Sequence, residues 1–190
     1  SHLKKYLHKI KSRRKKNILI YGRPSVERNC FPLVLAALKE WVWKQPQIDE
    51  WKLLSIGEMH KPVSLGNGVT LISLGKLTLS DYAELLLQSA IGLSFMISPH
   101  PSYPPLEMAH FGLLTLTNSY ANKNLSKFHD NIFSLKKLTP STISNGLVNM
   151  TKKFSDKPTL GINGKSQMPY YCLDLPQFPF LDEFAAFFLN

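Results

Sequence analysis

The sequence predicts an α/β protein built on a doubly wound parallel sheet, and three observations carry that expectation. Short β-rich apolar runs alternate with longer stretches whose apolar residues recur at helical spacing. One of the runs, Leu113–Thr117, is apolar almost throughout, the pattern of a strand that a parallel sheet buries on both faces. The length of 190 residues suits about one domain, and the 44% hydrophobic and 11% aromatic content excludes disordered, collagen-like and low-complexity chains.

Asn17–Tyr21 is the first strand, closed by Gly22, and Phe31–Lys44 comes next as a helix with Leu35, Leu38, Trp41 and Val42 at helical spacing. Trp51–Ile56 is the next strand. Gly66-Asn67-Gly68 reads as a turn before a strand at Val69–Leu74. Ser80 caps a helix over Asp81–Gln88, with Glu84 behind it and Tyr82, Leu85 and Leu86 on its apolar side. Gly92–Ile97 is a buried strand. Two prolines open a helix at Pro104–Phe111, Gly112 ends it, and Leu113–Thr117 is the strand after it. Asn131–Leu135 is the last strand, and Thr139-Pro140 starts a helix running to about Phe154. Beyond Ser155 the chain turns rich in proline, glycine and aromatics and closes with a short apolar helix near Leu181–Leu189. The expected organisation is a basic arm at 1–16, an α/β domain at 17–155 and an extension at 156–190.

Charge is concentrated at one end. Eight of the 23 lysines and arginines lie in residues 1–16, without an acid among them, so that segment holds +8 of the net +10. A nucleic-acid-binding domain spreads basic residues and stacking aromatics over its surface, so a nearly neutral body argues against one. Leu3, Leu7 and Ile10 fall on one side of a short amphipathic helix. Three readings of the arm stay open: an interdomain linker whose apolar residues dock on a neighbour, a helix on anionic lipid, and a polybasic nucleic-acid patch.

No apolar run approaches the ~20 residues of a membrane span, and no apolar signal core comes after the basic start, so a cytoplasmic chain is expected. Cys30 and Cys172 are too few and too far apart for a disulfide framework, and the six histidines lack metal-ligand spacing, so no metal is expected. The dinucleotide, P-loop and nucleophile-elbow glycine patterns are all missing, which disfavours dehydrogenases, P-loop enzymes and α/β-hydrolases.

Two segments stand at carboxyl ends of strands, where open α/β sheets bind ligands. The first, Tyr21-Gly22-Arg23-Pro24-Ser25-Val26-Glu27-Arg28-Asn29, carries two arginines five residues apart. Guanidinium forks match phosphate oxygens, so a convergent pair suits a diphosphate. The plainer alternative pairs Arg28 with Glu27 or Glu40 and leaves Arg23 covering the sheet edge. The second segment runs from Ser98 to Ala109 through His100, Ser102, Tyr103, Pro104, Pro105, Leu106 and Glu107. A proline-started helix leaves the amides around Leu106 and Glu107 facing an anion, with the helix dipole behind them. Glu107 accepts both hydroxyls of a ribose, or else is only a first-turn helix stabiliser.

Arg23 with Arg28, the strand ending in Gly75-Lys76, and Pro104-Pro105-Leu106-Glu107-Met108-Ala109-His110-Phe111-Gly112 together resemble the donor-binding C-terminal half of a retaining GT-B glycosyltransferase of family 4. That half is a Rossmann-like domain. The wording Gly-Arg-Pro-Ser-x-x-Arg-Asn and Pro-His-Pro-Ser-Tyr-Pro-Pro-Leu-Glu is most similar to WsaF-like bacterial rhamnosyltransferases, over most of 17–154. The resemblance implies that Arg23, Arg28 and the backbone at Pro105 and Leu106 bind the donor diphosphate. Glu107 then holds the ribose, and Gly75 and Lys76 border the base. Where the family pattern has a second glutamate, eight residues before the ribose glutamate, this chain has Pro99 beside His100. Glucose-type recognition is thus set aside, and His100, Ser102 and Tyr103 become the expected contacts to a 6-deoxy sugar such as rhamnose.

The resemblance thus implies a glycosyltransferase donor half for bacterial surface polysaccharide, binding a nucleotide-diphosphate sugar such as dTDP-rhamnose without a metal or other cofactor. Its acceptor, a glycan or lipid-linked glycan, belongs to an N-terminal half absent from this sequence, so the fragment is expected to be inactive alone. Phe178, Phe180, Phe184, Phe187 and Phe188 are expected to pack partly against that half. No nucleic acid is expected as partner, and peripheral contact with the inner face of a membrane rests on the basic arm. A noncatalytic interaction domain and a nucleic-acid-binding domain are the alternatives.

Overall fold

The computed structural model describes residues 3–10, 14–100 and 102–167; the aromatic tail and its expected helix lie outside them. Among the described residues seven strands form one sheet: β1 (Asn17–Gly22), β2 (Lys52–Gly57), β3 (Val63–Gly66), β4 (Val69–Gly75), β5 (Ile91–Ser94), β6 (Leu114–Asn118) and β7 (Ile132–Leu135). Their order is β3-β4-β2-β1-β5-β6-β7, all parallel except β3, which runs antiparallel to β4. The order reverses at β1, which has β2 on one side and β5 on the other. The crevice outside the carboxyl ends of β1 and β5 is therefore the topological switch point.

Four described α-helices cover the two faces: α1 (Phe31–Lys44), α2 (Leu79–Gln88), α3 (Tyr103–His110) and α4 (Pro140–Asp156). Alternation along β1 decides the sides. Ile18 and Ile20 join Val34, Leu38 and Trp41 of α1 and Ile143 and Leu147 of α4, whereas Leu19 joins Leu86 of α2 and Met108 of α3. Trp51 packs edge-on between Trp41 and Phe154, at 6.5 and 5.9 Å between ring centroids. Gly92 admits α3 to the sheet, because a Cβ there would stand 2.6 Å from the Met108 sulfur.

The sequence expectation and the structure differ at several edges. Val63–Gly66, which carries too weak a pattern to be expected as a strand, is one. Asn67 and Gly68 both have positive φ, the two-residue turn that suits the twist of a hairpin. The cap of α2 is Thr78, whose hydroxyl accepts from the Asp81 amide at 3.2 Å, two residues before the expected Ser80. β5 ends at Ser94, and Phe95 to His100 run as a loop. Thr139 opens α4 as expected, in a reciprocal exchange with Thr142.

The basic arm rests on the body. Lys4–Lys9 form a 3-10 helix instead of the expected α-helical turns, Leu3 is buried, and Tyr6 and Leu7 pack against the α2–α3 side of the sheet. Arg14, one of the arm's eight cations, is buried. Its guanidinium donates to the carbonyls of Leu86 (2.9 Å) and Ser89 (2.8 Å) at the end of α2 and to that of Phe111 after α3. Burial lowers its pKa to about 10, which leaves it charged at neutral pH. Among the described residues no helix is long and apolar enough to cross a membrane.

Candidate functional site

The loop after β1 is built as a fixed platform. The Val26 amide closes a turn on the Arg23 carbonyl (2.9 Å), and the Asn29 and Cys30 amides bond back to Val26 and Glu27, both at 2.9 Å. Ser25 donates to the Glu58 carboxylate through its hydroxyl (2.7 Å) and its amide (3.2 Å). The Ile97 amide, in the loop after β5, donates to the Arg28 carbonyl at 2.8 Å and so ties the two rims of the switch point together. Met96 is held in turn by Asn118, which accepts from its amide (2.9 Å) and donates to its carbonyl (3.1 Å).

Two adjoining cavities open along this edge. The larger, about 620 Å³, is lined by Tyr21, Arg23, Gly57, Lys76, Thr78, Tyr82, Tyr103, Pro104 and Glu107. The other, about 460 Å³, is lined by Tyr21, Arg23, Arg28, Asn29, Met96, Ser98, His100, Ser102, Tyr103 and Pro104. They share Tyr21, Arg23, Tyr103 and Pro104, so they form one cleft with Arg23 at its middle. Its volume falls in the usual range for small-molecule sites.

Arg23, Arg28, Lys76, His100, Ser102, Tyr103 and Glu107 therefore come together, from the ends of β1, β4 and β5 and the start of α3. Arg28 takes neither Glu27 nor Glu40 as an ion-pair partner; Glu40 instead meets Lys44 at 3.3 Å. Gly75 is buried just behind Lys76, with a φ of +65° that L side chains rarely adopt. Pro105 and Leu106 are buried in the base of α3 and do not line the cleft. Because α3 begins at Tyr103, one residue earlier than expected, the amides left without an intrahelical partner at its tip are those of Ser102 and Tyr103. Those of Leu106 and Glu107 lie inside the helix.

Glu107 is half-buried and accepts a hydrogen bond from the Tyr82 hydroxyl at 3.0 Å. Burial pushes its carboxyl upward, and the Tyr82 hydrogen bond acts the other way. In the sequence Tyr82 belongs only to an apolar helix side, since nothing in the local pattern announces that α2 will set it beside a residue 25 positions later. Among the described residues no three His, Cys, Asp or Glu side chains gather as metal ligands.

With this geometry in place, comparison with known proteins places the fold. The Anabaena protein HepE, solved with UDP and glucose, matches with a TM-score of 0.56 at 11% identity, over 85% of this chain and 45% of that one. WaaG, a glycosyltransferase involved in lipopolysaccharide biosynthesis, matches with a TM-score of 0.60 at 15% identity, over 97% of this chain and 50% of that one. The O-antigen biosynthesis protein RfbC of Myxococcus xanthus is 30% identical over 151 residues, 80% of this chain but 12% of that protein. The chain thus spans half or less of each of these three proteins, and its sheet is the Rossmann-like half of a GT-B fold. The family described as WsaF, C-terminal domain, matches residues 16–148, and the chain belongs to that family.

Proposed function

We propose that the cleft holds the nucleotide diphosphate of a sugar donor, and that the chain is the donor half of a glycosyltransferase in polysaccharide synthesis. One observation carries the reading: Arg23, Glu107 and the tip of α3 line the same cavity, with Arg28 in the adjoining one. Membership of the WsaF C-terminal family supports it, as does the likeness to folds solved with UDP.

In this reading Arg23 and Arg28 bind the diphosphate together with the Ser102 and Tyr103 amides, on the segment that continues into Pro105 and Leu106. The Glu107 carboxylate, oriented by Tyr82, accepts the ribose hydroxyls. Lys76, set by Gly75, borders the base, and His100, Ser102 and Tyr103 face the sugar. When the bond between the anomeric carbon and the β-phosphate oxygen breaks, charge grows on the leaving diphosphate. The two guanidinium groups on the fixed loop after β1 then offset that charge. The donor expected from the loop around His100 is a 6-deoxyhexose nucleotide such as dTDP-rhamnose, and the acceptor is a glycan bound by a separate half.

Calorimetry with dTDP, UDP, GDP and CDP tests this. Binding of at least one, lost by about tenfold or more in Arg28→Ala and in Glu107→Ala, is the expected result. Because arginines supply the counter-charge, EDTA and Mg²⁺ should give the same affinity. Absence of binding, or binding indifferent to both substitutions, overturns the proposal.

A further inference from the structure

Beneath the cleft lies another cation. Lys123, in the loop after β6, is buried with 6% of its surface exposed. Its ammonium donates to the Met96 carbonyl at 2.6 Å. That carbonyl already accepts from the Asn118 amide group at 3.1 Å and the Ser98 backbone amide at 3.1 Å, more donors than its two lone pairs accommodate well. No carboxylate pairs with Lys123 among the described residues. The ionisable group that acts on it is Cys30, whose thiol is pushed up by burial and so stays neutral at ordinary pH.

A buried ammonium without a counter-ion is costly, and replacing such a group by an apolar one is often neutral or stabilising. Its retention has an explanation in its position. Met96 lines the cleft beside Arg28, and Cys30 comes directly after the arginine loop, so Lys123 lies under the floor between the two rims. Charge acts more strongly through protein than through bulk water.

We propose that Lys123 is a buried cation of this site beside Arg23, Arg28 and Lys76, held beneath the loop after β5 so that the diphosphate of the bound donor is its counter-ion. The inference rests on the donor-site reading and adds a group to it. Lys123 could fill two separable roles: a tether for Met96, which needs only a hydrogen-bond donor, and a charge for the anion, which needs the ammonium.

The test titrates UDP and dTDP, with uridine and thymidine as uncharged comparisons, into wild type, Lys123→Met, Lys123→Gln and Arg28→Ala. Glutamine keeps a donor for Met96 but has no charge, so it also carries the test if Lys123→Met fails to fold. The expected result is about tenfold weaker diphosphate binding in both Lys123 variants, unchanged nucleoside binding, and a melting temperature not lowered in Lys123→Met. Wild-type affinity in Lys123→Gln overturns the inference and leaves a tether. If Arg28→Ala loses diphosphate while the Lys123 variants do not, the donor site stands and the role of Lys123 as its buried cation falls. If wild type binds neither diphosphate, both readings fall together.

Discussion

At the scale of single residues, the cleft is a set of charges governed by what touches them. Tyr82→Phe removes the donor that orients Glu107, so nucleoside-diphosphate affinity should drop about threefold to tenfold in calorimetry, with little change in stability. A second pair of residues sets a pH limit away from the cleft. His110 and His129 meet edge to face with ring centroids 4.7 Å apart. Burial pushes both below the ordinary histidine range, His129 to about 4, where Asn131 also donates its amide to the Nδ1 lone pair. As pH falls below about 6.5, the unfolded chain takes up a proton at His129 that the folded one refuses, so stability falls until about pH 4 and then levels. The loss from His129 reaches up to about 3 kcal/mol, read by urea denaturation across that window, and His129→Gln should flatten it. Glu107, pushed upward, works in the opposite direction, which is why the comparison with the variant is needed. That Arg23, Arg28 and Glu107 gather at one edge of the sheet was legible in the sequence, because their segments follow the ends of β1 and β5. Tyr82, Lys123 and Asn118 were not, because their meaning comes from neighbours brought in by other strands and helices.

Elements were readable where one local signal dominated. Thr139-Pro140 marks its own helix start, and the nearly continuous apolar run at Leu113–Thr117 marks a buried strand. Edges were misread where two signals competed. Ser80 and Thr78 are both residues that make good caps, and it is the Thr78 hydroxyl that accepts from the Asp81 amide. β3 is four residues of weak pattern whose pairing depends on the Asn67-Gly68 turn and on β4 being there to receive it. Helix ends were read nearly in place, α2 at Gln88 and α3 within a residue of His110, but the partner of their last carbonyls was hidden, because Arg14 comes from a segment that composition makes look solvated. Arg14→Met, which keeps the packing and removes the donors, should cost about 3 kcal/mol and lower the melting temperature by roughly 6–12 °C in a thermal scan.

For the whole molecule, the arm adheres to the body through Leu3, Tyr6 and Leu7 on the α2–α3 side, while the cleft opens at the carboxyl edge of the sheet. Deletion of residues 1–10 should therefore lower unfolding free energy by about 1–3 kcal/mol, from loss of Leu3 burial, and leave nucleoside-diphosphate affinity as it was. Denaturation and calorimetry on the shortened chain check both halves of that statement. A nucleic-acid-binding arm would instead make nucleic-acid affinity vanish with the deletion. The sheet's doubly wound character was readable because alternation of strand and helix leaves few other topologies. The guanidinium of Arg14 has one practical consequence for anyone dissecting the protein. A fragment trimmed to the matched span, 16–148, would start beyond Arg14 and stop short of Met150 and Phe154, so it would lose a helix clasp and the aromatic neighbour of Trp51 at once. Limits drawn by likeness are narrower here than limits drawn by cohesion, and a usable fragment has to be cut along the latter.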